Sequence, residues 1–178
     1  TNLVSNAGVV ATDTTGVGTA RAMLASASYG GDKALFGFGG YGSNTKTNAT
    51  NLVSNIGVVA TDTTGVGTVR RELAAAGYGE DKAIFGFGVS SGSFFNITNL
   101  VSNAGVVASD STGVGSSRRA STAVGYGGDK AIFAYGIEEN NYYTGTMTNI
   151  INLVSSTGVV ASDTTGVGSA RGYLAAAG

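Results

Sequence analysis

The chain has 178 residues, a net charge of -1 and 12% charged residues, about half the ~25% usual for soluble domains. No electrostatic footprint for nucleic acid or an acidic membrane surface is expected from that balance, and no apolar run approaches the ~18 residues of a membrane span. Thirty glycines without a single proline and without a Gly-X-Y period exclude a collagen-like chain and point to many tight turns, while the lack of Cys and His removes disulfides, thiolate chemistry, imidazole bases and a Ser-His-Asp triad.

In chain order, "GVVATDTTGVG" at residues 8–18 returns at 57–67, then as "GVVASDSTGVG" at 105–115 and "GVVASDTTGVG" at 158–168. The Asn of "NLVS" marks the same period at Asn2, Asn51, Asn99 and Asn152, and the Arg after the turn marks it at Arg21, Arg70, Arg118 and Arg171, both with steps of 49, 48 and 53 residues. Length variation therefore falls in three inserts, residues 40–50, 89–98 and 137–150. One unit reads as four short strands. "RRELAAAGYG" (70–79) reads as a strand or, by its alanines, as a helix start. "KAIFGFG" (82–88), "TNLVSN" (98–103) and "GVVASDS" (105–111) are strands bounded by turn residues.

Units of about 50 residues with four strands have the period of a propeller blade. The expected fold class is thus all-β, a β-propeller in one domain over residues 1–178, with repeat cores near 1–39, 50–88, 98–136 and 151–178. "LAAAG" would be the innermost strand, where small side chains leave room at the axis, and "GVVATDT" the outermost. Three blades are whole; the fourth is split between residues 1–14 and 171–178 and lacks its second strand, so a longer repeat array is expected.

The order of "KAIFGFG", variable insert, "TNLVSN", "GVVATDT", the turn to Arg70 and "ELAAAGYGED" resembles the kelch type of propeller over essentially the whole chain. The second and third copies of the strand end in Gly-Phe-Gly and Ala-Tyr-Gly instead of a glycine pair, and the Trp of many kelch blades is missing. The near-identical phrasing also resembles the repeats of marine bacteriophage tail fibres and virion appendages. These resemblances imply an extracellular or virion protein.

Within the copied cores, Asp13, Asp62, Asp110 and Asp163 read as turn-formers whose carboxylates bond nearby amides. One carboxylate per turn is too few for a calcium loop, so neither a metal site nor a cofactor is expected. Arg21, Arg70, Arg118 and Arg171 could ring one face and bind an anion; the preferred reading is structural, with each guanidinium bonding turn carbonyls or the repeated Asp and tying blades together. The pairs Asp32-Lys33, Asp81-Lys82 and Asp129-Lys130 read as exposed turn charges. Every repeated carboxylate has a structural reading, and the unrepeated ones are Glu72, Glu80, Glu138 and Glu139, so no catalytic residues and no enzyme are expected.

Binding is expected in the inserts, because loops on a rigid scaffold carry it. They offer Tyr41, Phe94, Phe95, Tyr142 and Tyr143 among small polar residues, a mixture suited to sugar or protein surfaces; alternatively these rings tuck against the blade edge. Asn48-Ala49-Thr50 and Asn96-Ile97-Thr98 fit the N-glycosylation pattern. The function expected is a non-enzymatic recognition module for a cell-surface glycan or protein, the alternative a structural repeat protein whose partners are other copies of itself.

Overall fold

The computed structural model describes residues 1–41, 44–141 and 144–177. Among them there is no helix, and the strands form several small antiparallel sheets, none closed into a barrel. The first unit contains β1 (Ala25–Tyr29), β2 (Lys33–Gly37), β3 (Gly40–Tyr41), β4 (Thr45–Lys46) and β5 (Thr50–Val53). The second repeats this as β6 (Ala74–Tyr78), β7 (Lys82–Gly86), β8 (Val89–Ser90), β9 (Ser93–Phe94) and β10 (Thr98–Val101). The third has β11 (Arg118–Arg119), β12 (Thr122–Tyr126), β13 (Lys130–Asn141), β14 (Thr144–Val154) and β15 (Thr164–Thr165).

Each unit is a meander, ordered β1-β2-β5, β6-β7-β10 and β12-β13-β14. The alanine-rich segment is a strand: Ala74 pairs with Gly86 and Tyr78 with Lys82. Alanine favours helix by only tenths of a kcal/mol per residue, and the turn at Gly79 and Glu80, both at positive φ, returns the chain onto its partner strand instead. The "GVVA" segment is held less completely than a strand. Isolated bridges join Val53 to Val59 and Thr50 to Thr63, with equivalents at Val101/Val107, Thr98/Ser111 and Val154/Val160. Residues 1–14 form the same arrangement through Val4/Val10, while residues 174–177, expected as a strand, form none. The inserts pair internally, as β3-β4 and β8-β9, and in the third unit this hairpin fuses with its flanking strands into β13 and β14.

The core lies between units. β1 runs beside β6, and β6 beside β12. One buried cluster joins Tyr29, Leu35 and Phe38 to Leu73, Ala83, Phe85 and Val101 of the following unit; a second joins Tyr78, Ile84 and Phe87 to Ala131, Phe133 and Val154. Gly37 and Gly86 are required by this stacking, since a Cβ would stand 2.6 Å from the Phe85 ring and 2.7 Å from that of Phe133. Ring pairs Phe38–Phe85 and Phe87–Phe133 meet edge to face at 5.1 Å. A unit that packs this way buries little apolar surface alone and depends on its neighbours.

Candidate functional site

The repeated arginine fastens one unit to the next. Arg70 lies over the Phe38 ring at 4.4 Å, donates from Nε to Phe87 O at 2.8 Å and from Nη2 to Asn99 Oδ1 at 2.6 Å, and has Asp110 3.8 Å away. Arg118 repeats the ring, Asn and Asp contacts, with the Phe87 ring at 3.9 Å, Asn152 at 2.5 Å and Asp163 at 3.9 Å, but among the described residues its Nε and Nη1 find no hydrogen-bond partner. Both are fully buried. Burial pulls each guanidinium down to about 10, against the pull of Asp110 or Asp163, which leaves both charged at neutral pH. Arg21 bonds Asn51 and, at 3.2 Å, Asp62. Arg171 is exposed; it lies over the Tyr135 ring at 4.9 Å and donates to Ser169 O.

The aspartates differ from their sequence reading. Asp62 accepts from the amide and hydroxyl of Thr19, Asp110 from those of Thr68 and Asp163 from those of Ser116, so their carboxylates staple segments more than forty residues distant instead of closing their own turns. Gly67 makes the approach possible: it has positive φ, and a Cβ there would collide with Asp110.

A second constellation sits just past each arginine, where the copied text varies as Ala22-Met23, Arg71-Glu72, Arg119-Ala120 and Gly172-Tyr173. Met23, Glu72, Ala120 and Tyr173 all have positive φ. Their backbones are pinned in series: Glu72 N donates to Met23 O, Ala120 N to Glu72 O and Tyr173 N to Ala120 O, at 2.9–3.0 Å. The pins bring four repeats around one cleft of about 290 Å³, lined by Leu24, Leu73 and Leu174 together with Met23, Glu72 and Tyr173. Arg119 bonds the Glu72 carboxylate, donates to Tyr173 Oη at 2.6 Å and faces the Phe94 ring at 5.3 Å. Ser121, also lining the cleft, is buried, and its hydroxyl has no hydrogen-bond partner among the described residues.

Of the insert aromatics, Phe94 belongs to this cluster through Arg119 and is half-buried, as is Phe95. Tyr41 is exposed. Tyr142 and Tyr143 lie outside the described residues. Glu139 accepts from the Phe94 amide at 3.4 Å, which ties the third insert to the second. The Asn48 and Asn96 side chains donate to Gly67 O and Gly115 O at 2.6 Å. Asn149, which has no acceptor pattern, does the same to Gly168 O at 3.1 Å, so the shared reason for this asparagine is the bond. The Asp-Lys neighbours pair with each other at 2.7–3.3 Å at the strand entrances. Sequence reading missed Arg119, Met23, Ser121 and Tyr173. The available signal was the two-residue column after the arginine, which varies inside an otherwise copied frame.

No family model matches the chain, and no curated protein matches it. Among solved structures it is similar to that of YjhT, with a TM-score of 0.56 and 12% identity over 75% of this chain and 42% of that one. The likeness is one of fold, and the chain spans less than half the length of YjhT. No helix among the described residues is long and apolar enough to cross a membrane.

Proposed function

We propose that the chain is a non-enzymatic recognition module, a kelch-like β-propeller domain over residues 1–178 whose units are blades, exposed outside the cell or on a virion and binding a cell-surface glycan or protein. The observation that carries this reading is the convergence of unrepeated residues from four repeats on one cleft, within a frame that otherwise repeats. A leucine lining offers an apolar seat. Glu72, Arg119, Tyr173 and the unpaired Ser121 hydroxyl offer acceptors and donors at its rim, matching a sugar-sized group with one apolar and one hydroxylated face. Phe94 extends the same surface into the inserts, where Phe95, Tyr41, Tyr142 and Tyr143 remain the proposed outer contacts.

The test is adsorption to candidate host cells and a glycan array, with melting temperature measured in parallel. A Tyr173→Ala, Arg119→Ala pair, and separately Phe94→Ala, Phe95→Ala, Tyr142→Ala, Tyr143→Ala together, should each cost about 1–4 kcal/mol of binding. The insert set should leave melting unchanged. Retained binding with collapsed stability would identify these rings as packing groups. The second reading, a structural repeat protein of a virion appendage or extracellular fibre, draws on a different feature, the open edges of the outermost units.

A further inference from the structure

We infer that Ser121 is the specificity-determining residue of the cleft, and that the group it selects is the hydroxymethyl arm of a neutral hexopyranose. This rests on the recognition reading and narrows it to one class of sugar.

Three residues past the repeated arginine stands a leucine in three repeats, Leu24, Leu73 and Leu174, and a serine in the other, Ser121. The places are equivalent in space as well as in sequence. A Cβ on Gly39 would stand 3.0 Å from that of Leu24, one on Gly88 3.0 Å from that of Leu73, and one on Gly136 3.2 Å from that of Ser121. Leu73 is buried in the cluster between units one and two. The cluster between units two and three has no leucine at this place. Ser121 stands there instead, 8% exposed, and its hydroxyl has no hydrogen-bond partner among the described residues.

The frame is weakened twice by this one letter. The packing of a leucine is missing, and a desolvated hydroxyl is left without a bond. Both defects lie on the cleft where unrepeated residues converge, and local rules are broken in this way at functional positions.

Together the defects describe the group that is missing. Leu24, Leu73 and Leu174 line the same cleft, so the entering group is apolar along its length. The orphan hydroxyl needs a hydrogen-bonding atom at the tip, and a charged tip would be desolvated against a single hydroxyl. A hydroxymethyl arm brings one carbon and one oxygen, the same count of heavy atoms by which serine falls short of leucine. The sugar ring that carries the arm then meets the exposed Tyr173 ring with its C–H face, and its remaining hydroxyls meet Arg119 and Glu72.

An array of glucose, 6-deoxyglucose and xylose pyranosides, with the galactose and mannose series in the same three forms, tests this. Each series keeps one ring and changes only the arm, from hydroxymethyl to methyl to hydrogen. The unaltered protein should bind the hydroxymethyl member of at least one series about tenfold or more tighter than its counterparts. Ser121→Ala keeps the space and removes the hydroxyl, so it should erase the preference over the methyl form. Ser121→Leu restores the letter of the other repeats; it should raise the melting temperature and weaken hexose binding about tenfold or more. The sugar series alone needs no variant, which keeps the inference open to test if a substitution misfolds. Equal binding of all three arms would overturn it and leave the recognition reading standing, as would adsorption to host cells without binding to any of these sugars. A fall in melting temperature for a folded Ser121→Leu would also overturn it, because the place would already be full. Absence of both array binding and cell adsorption would overturn the recognition reading as well.

Discussion

Arg118 and Arg171 hold the same place in consecutive units, and little else about them agrees. Arg118 is enclosed by the Phe87 ring, Asn152 and the Asp163 carboxylate. Arg171 keeps its aromatic platform, Tyr135, but lies open to solvent. The platform comes from the preceding unit and the polar enclosure from the outer strands that follow in the arginine's own unit, so the same residue is a buried fastener or a surface charge according to whether those strands stand beside it.

The sharpest way to break this contrast is to remove a buried member. Arg70→Ala should lower unfolding free energy by about 3–5 kcal/mol, because Asn99 and Asp110 lose their partner in a desolvated site. Urea denaturation would read it, and a loss below about 1 kcal/mol, the range of ordinary surface changes, would show that enclosure contributes little. Arg70→Lys should recover only part of the loss, since an ammonium lacks the planar fork.

Next in size is the glycine seat between units. Gly86→Ala should cost about 1–3 kcal/mol by overpacking against Phe133. Ala134→Gly, where no ring presses, should cost no more than the roughly 0.5–1 kcal/mol of glycine's added chain entropy. Equal losses at the two positions would erase the distinction between an interior and an outer edge.

Acid sharpens the comparison further. Hydrogen bonds from Thr19 and Asn51 hold the Asp62 carboxyl down at about 2. Asp110 and Asp163 are also lowered: burial pushes them up, but bonds from Thr68 and Asn99, and from Asn152 and Ser116, outweigh it. A folded-state value below the unfolded one, about 3.9, gives stability that is complete above that pH and is lost as pH falls towards 2. Melting temperature should therefore stay level from neutrality to about pH 4 and then drop, with a shallower drop for Asp62→Asn. The smallest effect is reserved for Arg171→Ala, which in dilute protein should change stability by no more than about 0.5 kcal/mol.

The period and the order of strands were legible because turn chemistry is local: glycine-bounded runs of β-branched and aromatic residues declare themselves within six or seven letters. The alanine segment was ambiguous for the opposite reason. Its strand form is imposed by pairing with the neighbouring β7 and by the strands β1 and β12 stacked beside it, and these last two lie some fifty residues away on either side. Asp62 shows the same limit. Nothing in "TDTTG" reveals that the carboxylate is used by Thr19, more than forty residues earlier. The cleft was hidden differently, since Arg119 and Tyr173 are unremarkable singly and meet only when units are superposed.

The backbone pins through Met23, Glu72, Ala120 and Tyr173 have a consequence for how such a surface can be rewritten. Main-chain amides and carbonyls do the fastening, so cohesion is indifferent to the letter carried there, apart from the cost, of order 1–3 kcal/mol, of a left-handed backbone at a residue other than glycine. Each position behaves as an address with an interchangeable occupant. Duplication of a unit supplies a new address at once, and a single substitution then changes what the cleft presents without disturbing the joint beneath it.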